Sequence, residues 1–308
     1  MTERFAAQYL WGGIFPRREV DADIFQDGEI STALTHITYK LYQPPRLARD
    51  PAVVVMLHGC TQTAEDFAQG TRMNRYADSH GFLVIYPQQN LSANMKRCWN
   101  WFNPRNQGQS GEAATVMQIV DDVIAAHDLT TPQVFVAGLS AGASLAAILG
   151  RAYPDRINAI GIHAGVPMGA ARTVPGAFHA MENGDTGEIG PGPTRAIIFQ
   201  GDADTTVVPA NGDRIAFAPE AKVTRRRLFS GWRWCHRHLI GATADNARAE
   251  YWKVAGLDHA WSGGNPAGSY ADPRGPHATR EMIRFFFGYR RSIYPLVAAM
   301  LFLRRYLR

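Results

Sequence analysis

The chain has 308 residues, room for one large α/β domain or two small ones, and its 46% hydrophobic and 19% charged residues fit a buried core rather than disorder. Its 29 glycines and 18 prolines follow no period, which excludes collagen-like and low-complexity architectures. No apolar run approaches the roughly 20 residues that cross a bilayer, and the net charge of +5 is mild for this length.

The N-terminal stretch Phe5 to Phe15 is weakly apolar, and Arg17-Arg18 is followed by Glu19, Asp21 and Asp23, so it carries no convincing export signal. Residues 1–30 read as an extension ahead of a domain spanning 31–289. Ala33 to Tyr42 partly alternates and reads as a half-buried strand. Ala52 to Leu57 is a continuous β-branched run, as expected of a strand covered on both faces of a parallel sheet. Thr63 to Ser79 reads as one helix, with Thr63-x-x-Asp66 as its start. Phe82 to Tyr86 is the next buried strand, stopped by Pro87. Leu91 to Gly111 is a long polar loop carrying Trp99, Trp101 and Phe102, and long loops in compact domains are often functional. Glu112 to His127 has helical spacing, Gln133 to Ala137 is a strand, and Ala143 to Tyr153 is a small-residue helix. Strands at Ala159 to His163, Arg195 to Gln200 and Glu250 to Ala255 follow, then a last helix at Thr279 to Tyr289. Arg225 to Arg227, with Arg233 and Arg237 beyond, has no recognition motif and reads as a solvated basic loop, so no nucleic-acid partner is expected. Residues 290–308 form a tail in which apolar Ile293 to Leu303 is edged by arginines. It is expected either to pack as an extra helix or to associate weakly with a lipid or polymer surface.

Alternating strands and helices predict a mostly parallel sheet with helices on both faces and a ligand crevice at the carboxyl ends of the strands. Gly138-Leu139-Ser140-Ala141-Gly142 sits between a buried strand and a helix. There a tight turn strains the backbone and presents the Ser140 hydroxyl at the top of the sheet, and small residues at 138 and 142 avoid collision. A hydroxyl is a poor nucleophile until a base takes its proton. His259, in a Gly-rich loop after the last core strand, is the expected base. His163 ends a strand but comes too soon after the serine for the usual order, and His277 reads as a surface or capping residue. The orienting acid should lie between serine and histidine. Asp204 fits this place in Gln200-Gly201-Asp202-Ala203-Asp204, with Asp202 as the alternative and Asp258 behind it. The order Ser140, Asp204, His259 is that of α/β-hydrolases. The oxyanion donors are expected to be the backbone N–H groups of Ala141 and Cys60, each worth about 3 kcal/mol in a transition state. His58 is expected to brace that loop rather than hold a metal. Trp101 and Trp261 are candidate substrate contacts that clamp an apolar chain or ring. There is no Cys-x-x-Cys and no Cys/His cluster at zinc spacing, so neither metal nor other cofactor is expected.

The segments LHGCTQTAEDFAQGTRMN, FLVIYP, RCWNWF, VFVAGLSAG, QGDADTTV and HAWSGGNPAGSYADPRGPHATREM closely resemble the poly(3-hydroxybutyrate) depolymerase family of esterases, itself related to feruloyl and acetylxylan esterases. The resemblance covers about residues 31–289. It implies an α/β-hydrolase fold, the triad Ser140, Asp204 and His259, and hydrolysis of carboxylic esters, with hydroxybutyrate oligomers or polymer as first substrates. Acylated plant polysaccharide is the alternative substrate, and acyl transfer or non-catalytic polymer or granule binding the alternative functions. The resemblance also implies a Cys60–Cys98 disulfide, leaving Cys235 over. Closing that loop would contribute about 4 kcal/mol by the chain-entropy model. The bridge and the family favour an extracellular or periplasmic setting.

Overall fold

The computed structural model describes residues 25–31, 35–241 and 247–288; the expected C-terminal tail and residues 1–24 lie outside this range. In chain order the strands are β1 (Phe25–Ser31), β2 (His36–Tyr42), β3 (Val53–Leu57), β4 (Leu83–Gln89), β5 (Val134–Leu139), β6 (Ala159–His163), β7 (Arg195–Gly201), β8 (Val223–Ser230), β9 (Arg233–Gly241), β10 (Ala247–Val254), β11 (Trp261–Ser262) and β12 (Ala271–Asp272). The helices are α1 (Ala64–Thr71), α2 (Met73–His80), α3 (Gly111–Ala126), α4 (Ala141–Ala152), α5 (Val174–Asn183), α6 (Pro209–Ala216) and α7 (Ala278–Phe286).

Strands β1 to β10 form one sheet in the order β1-β2-β4-β3-β5-β6-β7-β10-β9-β8. The six central strands, β4 to β10 in that order, are mutually parallel, and an antiparallel pair closes each edge. β3, β5 and β6 are apolar at nearly every position because both faces are covered. In β3, Val53, Val55 and Leu57 pack with residues of α3 and α4, while Val54 and Met56 pack with residues of α1, α2 and α7. This period-two split puts the core in two layers, one on each side of the sheet. It leaves the carboxyl ends of β3, β5, β6, β7 and β10 on one rim.

The boundaries differ from the sequence reading in four places. The sheet begins before residue 31: β1 pairs with β2 from Phe25↔Tyr42 to Ser31↔His36, with Gly28 under the Tyr39 ring, so part of the expected extension is sheet. The expected single helix breaks at Arg72, which takes a left-handed φ of 57°. There the Gly70 and Thr71 carbonyls accept instead from Asn265 N and Thr279 Oγ1, donors of a distant segment. β4 runs past Pro87, which pairs with Tyr39 of β2 but lies beyond the β3–β4 pairing, where its missing N–H is not needed. Arg225 to Arg227 lie in a strand, β8, not a loop, and the segment 231–238 is the turn and start of β9.

Candidate active site

β5 delivers the chain to Ser140, whose φ of 55° and ψ of −119° confirm the expected strain at the strand-to-helix turn. The turn is locked by backbone contact. A Cβ on Gly142 would sit 2.1 Å from Leu57 O, and one on Gly138 would sit 2.4 Å from Gly142 C. Ser140 N donates to His163 O (2.9 Å), and Ser140 O accepts from Ser144 N (3.0 Å), which ties the turn to β6 and to its own helix. Ser140 caps α4 without a side-chain cap bond, so its hydroxyl is not spent on the helix end. The first N–H groups of α4 are therefore left pointing at the place where an anion would form.

Asp204 follows β7 and is 2% exposed. Its Oδ1 accepts from Thr206 N and Val207 N (both 2.9 Å), and its Oδ2 accepts from His259 Nδ1 (2.8 Å). Two rival acids are occupied elsewhere. Asp202 Oδ1 accepts from Gly256 N (2.6 Å), and Asp258 Oδ1 accepts from His259 N (2.8 Å), so both shape loops. With Nδ1 donating to Asp204, His259 has Nε2 left to act as a base. Among the described residues Ser140 Oγ has no hydrogen-bond partner, His259 included, and apo sites often tighten this bond only when substrate binds. Both bear on β6: His163 supplies the carbonyl that holds Ser140 N, and His259 disfavours a positive charge on the His163 ring.

The turn after β3 lies against Ser140, since a Cβ on Gly59 would be 3.6 Å from Ser140 Cβ. Gly59 N donates to Gln62 Oε1 (2.9 Å) and Thr61 N to Lys96 O (2.6 Å), while no described residue accepts from the N–H of Cys60 between them. Cys60 is disulfide-bonded to Cys98, which fixes the turn to the long loop. That loop is organised by buried Glu112, whose carboxylate accepts from Gln89 Nε2 (2.6 Å), Asn100 N (2.8 Å) and Asn100 Nδ2 (2.8 Å). Burial pushes the Glu112 carboxyl above its usual range. His58 braces the same turn: its Nδ1 donates to Gly59 O (2.7 Å) and its Nε2 accepts from Gln89 N (3.1 Å). Burial lowers its pKa to about 4, so the ring is neutral, as this bonding requires.

Three positioning residues were not singled out from sequence. Gln62 holds Gly59 N with one end and donates through Nε2 to Ser269 O (3.1 Å), linking the turn after β3 to the segment that carries His259. Glu112 organises the long loop, and His163, set aside from sequence as a candidate base, acts in positioning instead. Its Nε2 accepts from Ser262 N (3.0 Å), three residues past His259, and its ring stacks between Phe199 (5.6 Å) and Trp261 (5.0 Å). Burial, then the nearby His259, lowers the His163 pKa to about 3. The only available signal was position, at the carboxyl end of a core strand.

The two expected substrate contacts are packed. Trp261 is 1% exposed, donates through Nε1 to Thr279 Oγ1 (3.0 Å) and lies between His163 and Phe67. Trp101 is 5% exposed and meets Phe102 edge-on. Neither ring offers an open face, because each fills the core beneath its loop; the substrate-clamping role expected for them gives way to a packing role. Among the described residues no group of three His, Cys, Asp or Glu side chains is placed to hold a metal ion.

The chain is 35% identical over 185 residues to poly(3-hydroxyalkanoate) depolymerase C of Paucimonas lemoignei, covering 54% of this chain and 44% of that protein. It is 32% identical over 197 residues to feruloyl esterase B of Neurospora crassa, covering 57% and 66%. The chain thus spans less than two thirds of the length of these curated relatives. An acetyl xylan esterase from Aspergillus awamori superposes with a TM-score of 0.65 at 18% identity, covering 86% of this chain and all of that one, which shows a shared α/β-hydrolase fold. The family model described as Esterase PHB depolymerase matches residues 37–219, more than half of the chain, and the chain belongs to that family.

Proposed function

We propose that the protein is a serine ester hydrolase with Ser140 as nucleophile, His259 as base and Asp204 as its orienting acid. The observation that carries this reading is the Asp204–His259 pair at 2.8 Å, on the same rim as the strained Ser140 turn. Ser140 Oγ attacks the ester carbonyl while His259 Nε2 takes its proton. Asp204 keeps the Nδ1–H tautomer and offsets the positive charge that the imidazole gains. The tetrahedral oxyanion is held by the N–H groups of Ala141 and Cys60. His259 then returns the proton to the leaving alkoxide, an acyl-enzyme remains, and water resolves it by the same route.

Oligomers or polymer of 3-hydroxybutyrate are the first substrate reading, supported by the family and by the 35% identity to the depolymerase of Paucimonas lemoignei. Acylated plant polysaccharide is the second, supported by the feruloyl esterase of Neurospora crassa at 32% identity. The test compares p-nitrophenyl esters, hydroxybutyrate trimer, polymer film, methyl ferulate and acetylated xylan with wild type and Ser140→Ala. Loss of turnover by about 10⁴-fold or more in the variant is expected, and equal turnover by both forms would end the serine-hydrolase reading. The preferred ester separates the two substrate readings.

A further inference from the structure

The hairpin β8–β9 presents a basic, aromatic surface with no acidic residue. Residues 223–241 contain five arginines, two histidines and two tryptophans, and no Asp or Glu. Arg233 and Arg237 are paired with Asp272 and Glu250. Arg225, Arg226 and Arg227 are exposed and have no carboxylate partner among the described residues. Arg225, Arg227 and Phe229 alternate along one face of β8, opposite His238, His236 and Trp234 of β9. The Arg227 guanidinium lies over the Trp234 ring (4.3 Å), Phe229 meets that ring edge-on (5.1 Å), and Trp232 at the turn is 83% exposed. Basic residues on an edge strand discourage sheet-to-sheet aggregation. That accounts for the arginines but not for three exposed aromatic rings beside them, Phe229 at 56% and Trp234 at 48%.

The tip of this hairpin belongs to the catalytic rim. Ala255 N donates to Trp234 O (2.9 Å) and Gly275 N to Gly231 O (2.5 Å). Arg233 bonds both Ala255 O (3.0 Å) and Asp272. Ala255 and Gly275 bracket the segment that carries His259. We propose that the hairpin is a docking platform for an acidic polysaccharide, with the exposed rings stacking on sugar faces and Arg225 and Arg227, on the face that carries Phe229 and Trp234, pairing with its carboxylates. A guanidinium already stacked on an indole is held flat for a bidentate carboxylate contact. A polyester chain carries one carboxylate, at its end, and does not match a run of unpaired cations; a polymer with repeated acid groups does. The inference rests on the ester-hydrolase reading only for the meaning of the shared rim, and it favours the second substrate reading.

The test is affinity electrophoresis of the full chain through gels containing glucuronoxylan, with neutral arabinoxylan as control, in the Ser140→Ala background so that binding is read without turnover. Retardation by glucuronoxylan should weaken with salt and should fall at least tenfold in Trp232→Asn/Trp234→Ala and in Arg225→Gln/Arg227→Gln. The asparagine keeps a residue suited to the left-handed turn at 232 (φ 65°). The same substitutions with Ser140 restored should hydrolyse p-nitrophenyl acetate within twofold of wild type, which shows that they fold and leaves the hydrolase reading intact. No retardation, equal retardation by arabinoxylan, equal adsorption to polyester film or anionic vesicles, or retardation unchanged in both variants would each overturn the proposal.

Discussion

The two halves of the site are held by different means. The Ser140 turn is fixed by backbone against backbone: Gly138 against Gly142, and Gly142 against the end of β3. The His259 segment is held by side chains, through His163 to Ser262 N, Gln62 to Ser269 O and Arg233 to Asp272. A backbone contact admits no extra atom, whereas a side-chain tether can be weakened in steps. The Ser140 half should therefore fail abruptly in stability, and the His259 half gradually in rate.

The largest effect is expected in the Asp204–His259 pair. Asp204→Asn keeps the shape but offers a neutral amide to Nδ1, and kcat should fall by about 10³ to 10⁴-fold. Asp202→Asn touches only the loop bond to Gly256 N and should cost less than about threefold. Steady-state kinetics of the two variants on one p-nitrophenyl ester decide the assignment; comparable losses would show that both acids serve the histidine.

Gly142→Ala probes the other half. Its Cβ would meet Leu57 O at 2.1 Å and His58 O at 2.5 Å, both backbone atoms that cannot swing aside. Overpacking of this kind costs about 3 kcal/mol or more. In a domain of this size that lowers the melting temperature by about 6–12 °C. A soluble variant melting within 2 °C of wild type would mean that the turn is looser than its contacts indicate.

Acid weakens both halves through their buried histidines. His58 braces the turn after β3 and His163 the His259 segment, and burial lowers them to about 4 and about 3. An unfolded histidine titrates near 6.5, so below that pH the unfolded chain binds more protons than the folded one. Stability present at pH 7 is thus lost as the pH falls from about 6.5 towards 4, at a limiting slope of about 1.4 kcal/mol per pH unit for each ring. Melting temperatures at pH 7, 6 and 5 measure the slope, which should be shallower in His163→Gln.

These contrasts follow what could be read in the residues. β3, β5, β6 and β7 were legible because burial on both faces leaves unbroken apolar runs, and the Ser140 turn because its glycines are obligatory. β8 was not: an exposed edge strand needs no apolar period, and Arg225-Arg226-Arg227 looks like a loop until its pairing with β9 supplies the reason for a strand. The break at Arg72 depends on Asn265 and Thr279, about 200 residues on. Trp261 followed His259 by two, which suggested a substrate contact, but sequence spacing does not say that the ring turns inward onto His163.

His163 itself gives a modest effect, but the most discriminating one. Its backbone carbonyl holds Ser140 N and survives any substitution, so side-chain variants probe the histidine half alone. His163→Leu removes the acceptor for Ser262 N in a fully buried place, and an unpaired buried N–H costs about 1–3 kcal/mol. The segment can relieve that cost by shifting, which carries His259 off its line to the serine. The expected result is a fall in kcat of about tenfold, equivalent to 1.4 kcal/mol, with KM within twofold, since the site that receives the ester is untouched. His163→Gln places an amide oxygen near the position of Nε2 and should restore kcat to within about threefold of wild type. If glutamine fails as badly as leucine while both variants melt normally, stacking between Phe199 and Trp261, rather than the bond to Ser262, is what positions His259.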